Sequence, residues 1–164
     1  MNNQPEGGHS ARRDRFVEEY AHDSYKMPGK LKEPTACKTC GALYHKGRWT
    51  WDAKPANAEQ ITCPACLRIQ DKNPKGFVTL KGPYKAQHRD QVMGIIRNTE
   101  AQEKKTYPLA RIMTIEDRAE DLVVITTDAH LHRRLGEALK HSHHGELDIQ
   151  YDQDEDFIRI TWTG

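Results

Sequence analysis

Hydrophobic and polar positions alternate most regularly in the last third of the chain. Leu109–Glu116 and Leu122–Thr127 read as two strands joined by a polar turn. Asp128 is a good N-cap for a helix whose Leu131, Leu135, Ala138 and Leu139 recur at i, i+4, i+7 and i+8. Gly145 stands where a helix C′ glycine belongs. Glu146–Tyr151 then alternates with Leu147, Ile149 and Tyr151 on one face, and Phe157–Trp162 does the same with Ile158, Ile160 and Trp162. The predicted order is ββαββ, an antiparallel sheet with one helix on its apolar face, expected to fold alone over residues 109–164.

Upstream, Tyr84–Thr106 carries a helical stripe of Val92, Met93, Ile95 and Ile96, bracketed by Pro83 and Pro108. The rest of that helix is charged. So narrow an apolar face suits a helix that links two modules. Residues 35–80 hold short aromatic segments and Pro/Gly turns, which predicts irregular backbone with small hairpins. A short helix over Arg12–Tyr25 has Phe16, Val17 and Tyr20 on one side. The Lys26–Pro34 stretch breaks it, and residues 1–10 show no periodicity.

Composition narrows the picture. The chain has 164 residues, of which 30% are charged and 36% hydrophobic, with a mean hydropathy of −0.89. One large buried core is not expected; small modules with solvated tails are. No apolar run approaches the roughly 20 residues of a membrane helix, and Met1–Arg15 lacks the apolar stretch of a secretory signal. The expected location is the cytoplasm, where thiols bind metal or react rather than pair. The net charge of +1 hides an asymmetry: residues 36–108 carry thirteen Lys/Arg against six Asp/Glu, a net of +7, and residues 109–164 carry six against twelve, a net of −6. A basic middle beside an acidic end implies modules with different partners, or self-shielding.

The four cysteines are Cys37-Lys-Thr-Cys40-Gly41 and, after twenty-two intervening residues, Cys63-Pro-Ala-Cys66. Each C-x2-C pair directs two sulfurs to a common centre across a tight turn, and four thiolates in a tetrahedron suit a single Zn²⁺ with no open coordination position. Such a site is structural, replacing the core that a short polar module cannot build. A redox C-x2-C is disfavoured by the absence of a βαβ context and the presence of two pairs. Iron satisfies the same spacing. The expected architecture is therefore α+β: an N-terminal arm over 1–34, a zinc-ribbon module over 35–82, a linking helix over 83–107 and the acidic ββαββ domain over 108–164.

Between the cysteine pairs, Tyr44, Trp49 and Trp51 interleave with Lys46 and Arg48, and Arg68, Lys72 and Lys75 follow. Rings that stack on bases beside cations that meet phosphates make a single-stranded nucleic-acid platform. The alternative is that the aromatics cover the metal knuckles and the charges are a solvated face. His45 is read as a non-ligand, Asp128 as a cap rather than a partner of His130 and His132, and His141, His143 and His144 as cations suited to a helix C-terminus. Asp152–Asp156 reads as an acidic hairpin turn, since it lacks the glycine and distant glutamate of a calcium loop. No G-x-S-x-G, P-loop or H-E-x-x-H motif is present, and no enzymatic activity is expected.

The Thr35–Gly41, Tyr44–Trp51 and Cys63–Cys66 blocks, with Ile125–Leu139 and Gly145–Asp148, resemble a family of bacterial zinc-ribbon proteins of uncharacterised role. That family is related to the archaeal and eukaryotic nuclear export adaptor of the large ribosomal subunit. The adaptor carries several C-x2-C pairs where this chain has two, and its longer middle and export tail are missing here. What the resemblance implies is binding to the ribosome, its RNA or ribosomal proteins through the Cys37–Cys66 module. A protein–protein adaptor is the alternative, and an enzyme acting on nucleic acid a distant third.

Overall fold

A computed structural model describes Tyr25, residues 29–152 and residues 157–164. The helix expected before Tyr25 and residues 153–156 of the acidic turn lie outside these residues. The described residues form an α+β structure with four helices and two mixed sheets.

The first sheet is small. Its strands β1 (Thr35–Cys37), β2 (Leu43–His45), β3 (Arg48–Thr50) and β4 (Glu59–Ile61) lie in the order β3-β2-β1-β4. β2 and β3 form a hairpin whose two central residues, Lys46 (φ 52°) and Gly47 (φ 77°), both take positive φ. The mirror-image two-residue turn demands this, because its twist matches that of the flanking strands. The turn's two N–H groups, of Lys46 and Gly47, donate to the Glu33 carboxylate at 3.1 and 2.7 Å. β4 joins parallel to β1, bringing Cys37 beside Ile61 and hence close to Cys63.

After α1 (Pro64–Asp71) the chain enters the second sheet, and here it departs from the ββαββ expectation. β5 (Gly76–Lys81) is the central strand of five, in the order β6-β7-β5-β9-β8, with β6 (Ile112–Arg118), β7 (Asp121–Thr126), β8 (Glu146–Asp152) and β9 (Phe157–Thr163). It pairs antiparallel with β7 and parallel with β9, so the sheet is mixed and neither edge hairpin touches the other. Val78 and Leu80 are fully buried. A six-residue strand beside a cysteine module is assigned locally to that module, because its parallel partner lies some eighty residues away in sequence and leaves no local signature.

The linking helix also differs. It is α2 (Tyr84–Gln87) and α3 (Arg89–Thr106), interrupted at His88 (φ −125°, ψ 36°). α3 lies beside α4 (Ala129–His143), and α4 packs on the sheet. Val92 and Ile96 of α3, Leu131, Leu135 and Leu139 of α4, and Val78, Leu80, Leu122, Val124, Ile158, Ile160 and Trp162 of the sheet make one core. Asp128 caps α4 as expected, accepting from the Leu131 N–H at 3.1 Å. At the β8 edge only Leu147 of the predicted apolar face packs against this core; Ile149 and Tyr151 are exposed. Gly76 permits the close β5–β9 approach: a Cβ there would lie 2.1 Å from the Ile158 carbonyl oxygen.

Candidate metal centre

The four sulfurs converge because two unlike local structures hold them. Cys37 ends β1, and a turn follows in which the Cys37 N–H donates to the Ala42 carbonyl and the Gly41 N–H to the Cys37 carbonyl. Gly41, at φ 81°, supplies the left-handed residue this knuckle needs. The second pair opens a helix. Cys63 is the N-cap of α1, its Sγ accepting the Cys66 N–H at 3.4 Å, and Pro64 occupies the first helical turn, where a missing N–H costs nothing. A helix N-terminus favours anionic sulfur. The cysteine module is thus a four-stranded sheet plus a helix, more regular than the irregular backbone with small hairpins expected for residues 35–80.

The sulfurs fit a tetrahedral metal. All four ligand atoms lie within 4.8 Å of one another. The Cys37–Cys66 and Cys40–Cys63 separations are both 3.8 Å. A regular tetrahedron with metal–sulfur bonds of about 2.3 Å has edges of about 3.8 Å. Disulfide bonding would need about 2.05 Å, and the cysteines are unpaired. Among the described residues no other group of His, Cys, Asp and Glu is so placed. Burial alone would raise the Cys37 thiol, but N–H groups of Cys63, Cys40 and Thr39 outweigh it and hold its pKa down to about 6. Burial pushes Cys63 and Cys66 up; at Cys66 the neighbouring Arg111 opposes it. A bound cation overrides such differences, since a coordinating thiol gives up its proton.

Arg111 is the principal addition to the residues that the sequence points to. Its guanidinium donates to Cys66 Sγ at 3.2 Å, to Cys40 Sγ at 2.9 Å and, more weakly, to Cys63 Sγ at 3.8 Å; its Nε donates to the Pro108 carbonyl at 2.9 Å. It is only 8% exposed. Burial would favour its neutral form, but the sulfurs of Cys40 and Cys66 reverse this and raise its pKa above the usual arginine value. In the sequence it is one arginine beside Ala110 inside the predicted Leu109–Glu116 strand, with nothing to mark it.

Of the three aromatics, Trp49 covers the cysteines while Trp51 stays exposed. Trp49 and Leu109 pack against the cysteine cluster. Tyr44, half-buried, meets Trp49 edge-on at 5.5 Å between ring centroids. The Trp51 indole N–H donates to the Lys104 carbonyl at 2.7 Å, and the Arg111 guanidinium carbon stands 5.8 Å from its ring. Arg68, expected to meet a phosphate, is instead buried, donating to the Asn73 carbonyl at 3.2 Å with its guanidinium carbon 4.3 Å from the centroid of the Tyr25 ring. Lys75 sits at the head of β5, its backbone tied to β7 and β9. Lys46 and Arg48 are exposed at the β2–β3 turn, and Lys72 is exposed beyond α1. The structure therefore brings the cysteines together, and of the eight nucleic-acid candidates it leaves Lys46, Arg48, Trp51 and Lys72 exposed.

The histidines are used elsewhere. His132 is fully buried on α4, its Nε2 2.8 Å from the Thr126 hydroxyl. His130 Nε2 lies 3.2 Å from Glu103, and His143 Nδ1 lies 2.5 Å from the Tyr84 hydroxyl. No described helix is long and apolar enough to cross a membrane. Comparison with protein-family models, with curated proteins and with solved structures finds no match to this chain.

Proposed function

We propose that this chain is a non-catalytic, cytoplasmic RNA-binding protein built around one structural Zn²⁺, with ribosomal RNA as its partner. The observation that carries the structural role is the shell around the cysteines. Trp49, Leu109 and Arg111 pack on a four-sulfur cluster that a tetrahedral ion would saturate. Four thiolates leave no position for a substrate or an activated water. The exposed cations Lys46, Arg48 and Lys72 on the same module, in the part of the chain with net charge +7, support RNA as the partner. The likeness to relatives of the large-subunit export adaptor favours the ribosome among RNAs.

Because Trp49 packs on the cysteines and only the exposed Trp51, tied by its N–H to the Lys104 carbonyl, keeps a ring at the surface, recognition would rest on phosphate contacts more than on base stacking. Binding of ribosomes or rRNA fragments should then weaken steeply with salt. Lys46→Gln and Arg48→Gln should each lower the log–log salt slope by about 0.7–0.9 with zinc content unchanged. Trp49→Ala should lose metal rather than RNA alone. Salt-independent association, unaffected by either cation change, would refute RNA binding and leave a protein-docking adaptor. The exposed Ile149 and Tyr151 on β8 favour that second reading.

A further inference from the structure

The metal centre lies where the cysteine module meets the sheet. Three side chains make that junction. Leu109 reaches the cysteines from the segment before β6, Trp51 reaches back to the Lys104 carbonyl near the end of α3, and Arg111 bridges from the sheet to the sulfurs. Arg111 is itself fixed to the sheet: its N–H donates to the Thr127 hydroxyl at 3.1 Å, and Thr127 returns an N–H to the Arg111 carbonyl at 3.0 Å. Its fork is therefore aimed by its place just before β6 and by its tie to Thr127, the residue that follows β7.

A buried guanidinium needs a counter-ion, because removing an unpaired charge from water costs several kcal/mol. No carboxylate contacts Arg111 among its described hydrogen bonds; the partners are sulfurs and one carbonyl. Four thiolates around a divalent ion carry a net charge of −2. With that ion present, the arginine is balanced and each close sulfur accepts a charge-assisted N–H bond.

We infer that Arg111 is the positioning residue of the metal centre and its counter-ion, so that metal occupancy holds the cysteine module against the sheet. This rests on the site holding a divalent metal. N–H bonds drain electron density from the sulfurs, so Arg111 also protects them from electrophiles. Lysine cannot replace it fully, since one ammonium does not span two sulfurs as a planar fork does.

The test uses the full chain, loaded with Zn²⁺ or Co²⁺, as wild type, Arg111→Leu and Arg111→Lys. Wild type should take up one cobalt. In Arg111→Leu the sulfur-to-cobalt charge-transfer band should move to lower energy, and iodoacetamide should alkylate the zinc-loaded cysteines about tenfold faster, the equivalent of one charge-assisted bond lost. Arg111→Lys should fall between, and it carries the test if circular dichroism shows Arg111→Leu unfolded. In wild type, chelation should speed amide exchange across Ile112–Arg118. Wild type that takes up no cobalt would overturn the metal reading and this inference together. One cobalt bound, with band, alkylation rate and exchange all indifferent to residue 111 and to chelation, would overturn the inference alone.

Discussion

Acid should destabilise this protein through one buried histidine. His132 has no solvent exposure, and its Nε2 faces the Thr126 hydroxyl. That hydroxyl sends its own proton to the Asp128 carbonyl, so Nε2 carries the imidazole proton and donates. Nδ1 is buried without a hydrogen-bond partner and cannot be protonated cheaply. Burial therefore lowers the pKa from 6.5 to about 4; the Gly76 backbone beside the ring opposes this, and Lys75 adds to it. The sign follows from linkage. Between these values the unfolded chain binds the proton and the native chain does not, so stability is complete above pH 6.5 and is lost as pH falls toward 4. The whole difference corresponds to about 3 kcal/mol, of which about 2 kcal/mol lies between pH 7 and about pH 4.5. Urea unfolding of wild type and His132→Asn at several pH values measures it. The substitution's fixed cost, and every carboxylate and thiol common to both proteins, cancel in the comparison of pH dependences. Wild type should lose about 2 kcal/mol more than the variant over that range. Parallel pH profiles would refute the reasoning.

Two further expectations concern the sheet. Gly76→Ala sets a methyl 2.1 Å from the Ile158 carbonyl, so the β5–β9 ladder must shift; a loss of about 1–3 kcal/mol or more in thermal or urea unfolding is expected, and an unchanged stability would show that the strands can part freely. A fragment of residues 109–164 should give a collapsed amide spectrum, because β7 and β9 meet only through β5, whereas a fragment starting before Gly76 should be well dispersed.

Local chemistry was legible in the sequence and long-range pairing was not. The α4 stripe, the Asp128 cap and the two terminal hairpins follow from period and capping, and each occupies roughly its expected residues. The cysteine spacing likewise led to one four-sulfur cluster. β5 was misplaced because burial of Val78 and Leu80 reports a strand without naming its partners. Arg68 and Arg111 show the same limit from the other side. The sequence reads Arg68 as a surface cation and gives Arg111 no role, yet Tyr25 and Asn73 draw the first inward and three sulfurs the second. An arginine's burial is decided by what the fold sets opposite it. Trp49 and Trp51 have two readings, stacking or covering: packing on the cysteines favours covering for Trp49, whereas Trp51 is exposed with its N–H on the Lys104 carbonyl.

The central claim is a closed, structural site of four thiolates around zinc. Metal analysis with X-ray absorption on freshly purified full-length protein tests it most directly. The expected result is one zinc per chain with four sulfur neighbours at about 2.3 Å and no lighter ligand. Protein that carries no metal, iron in place of zinc, or a nitrogen or oxygen atom in the first coordination sphere would contradict it.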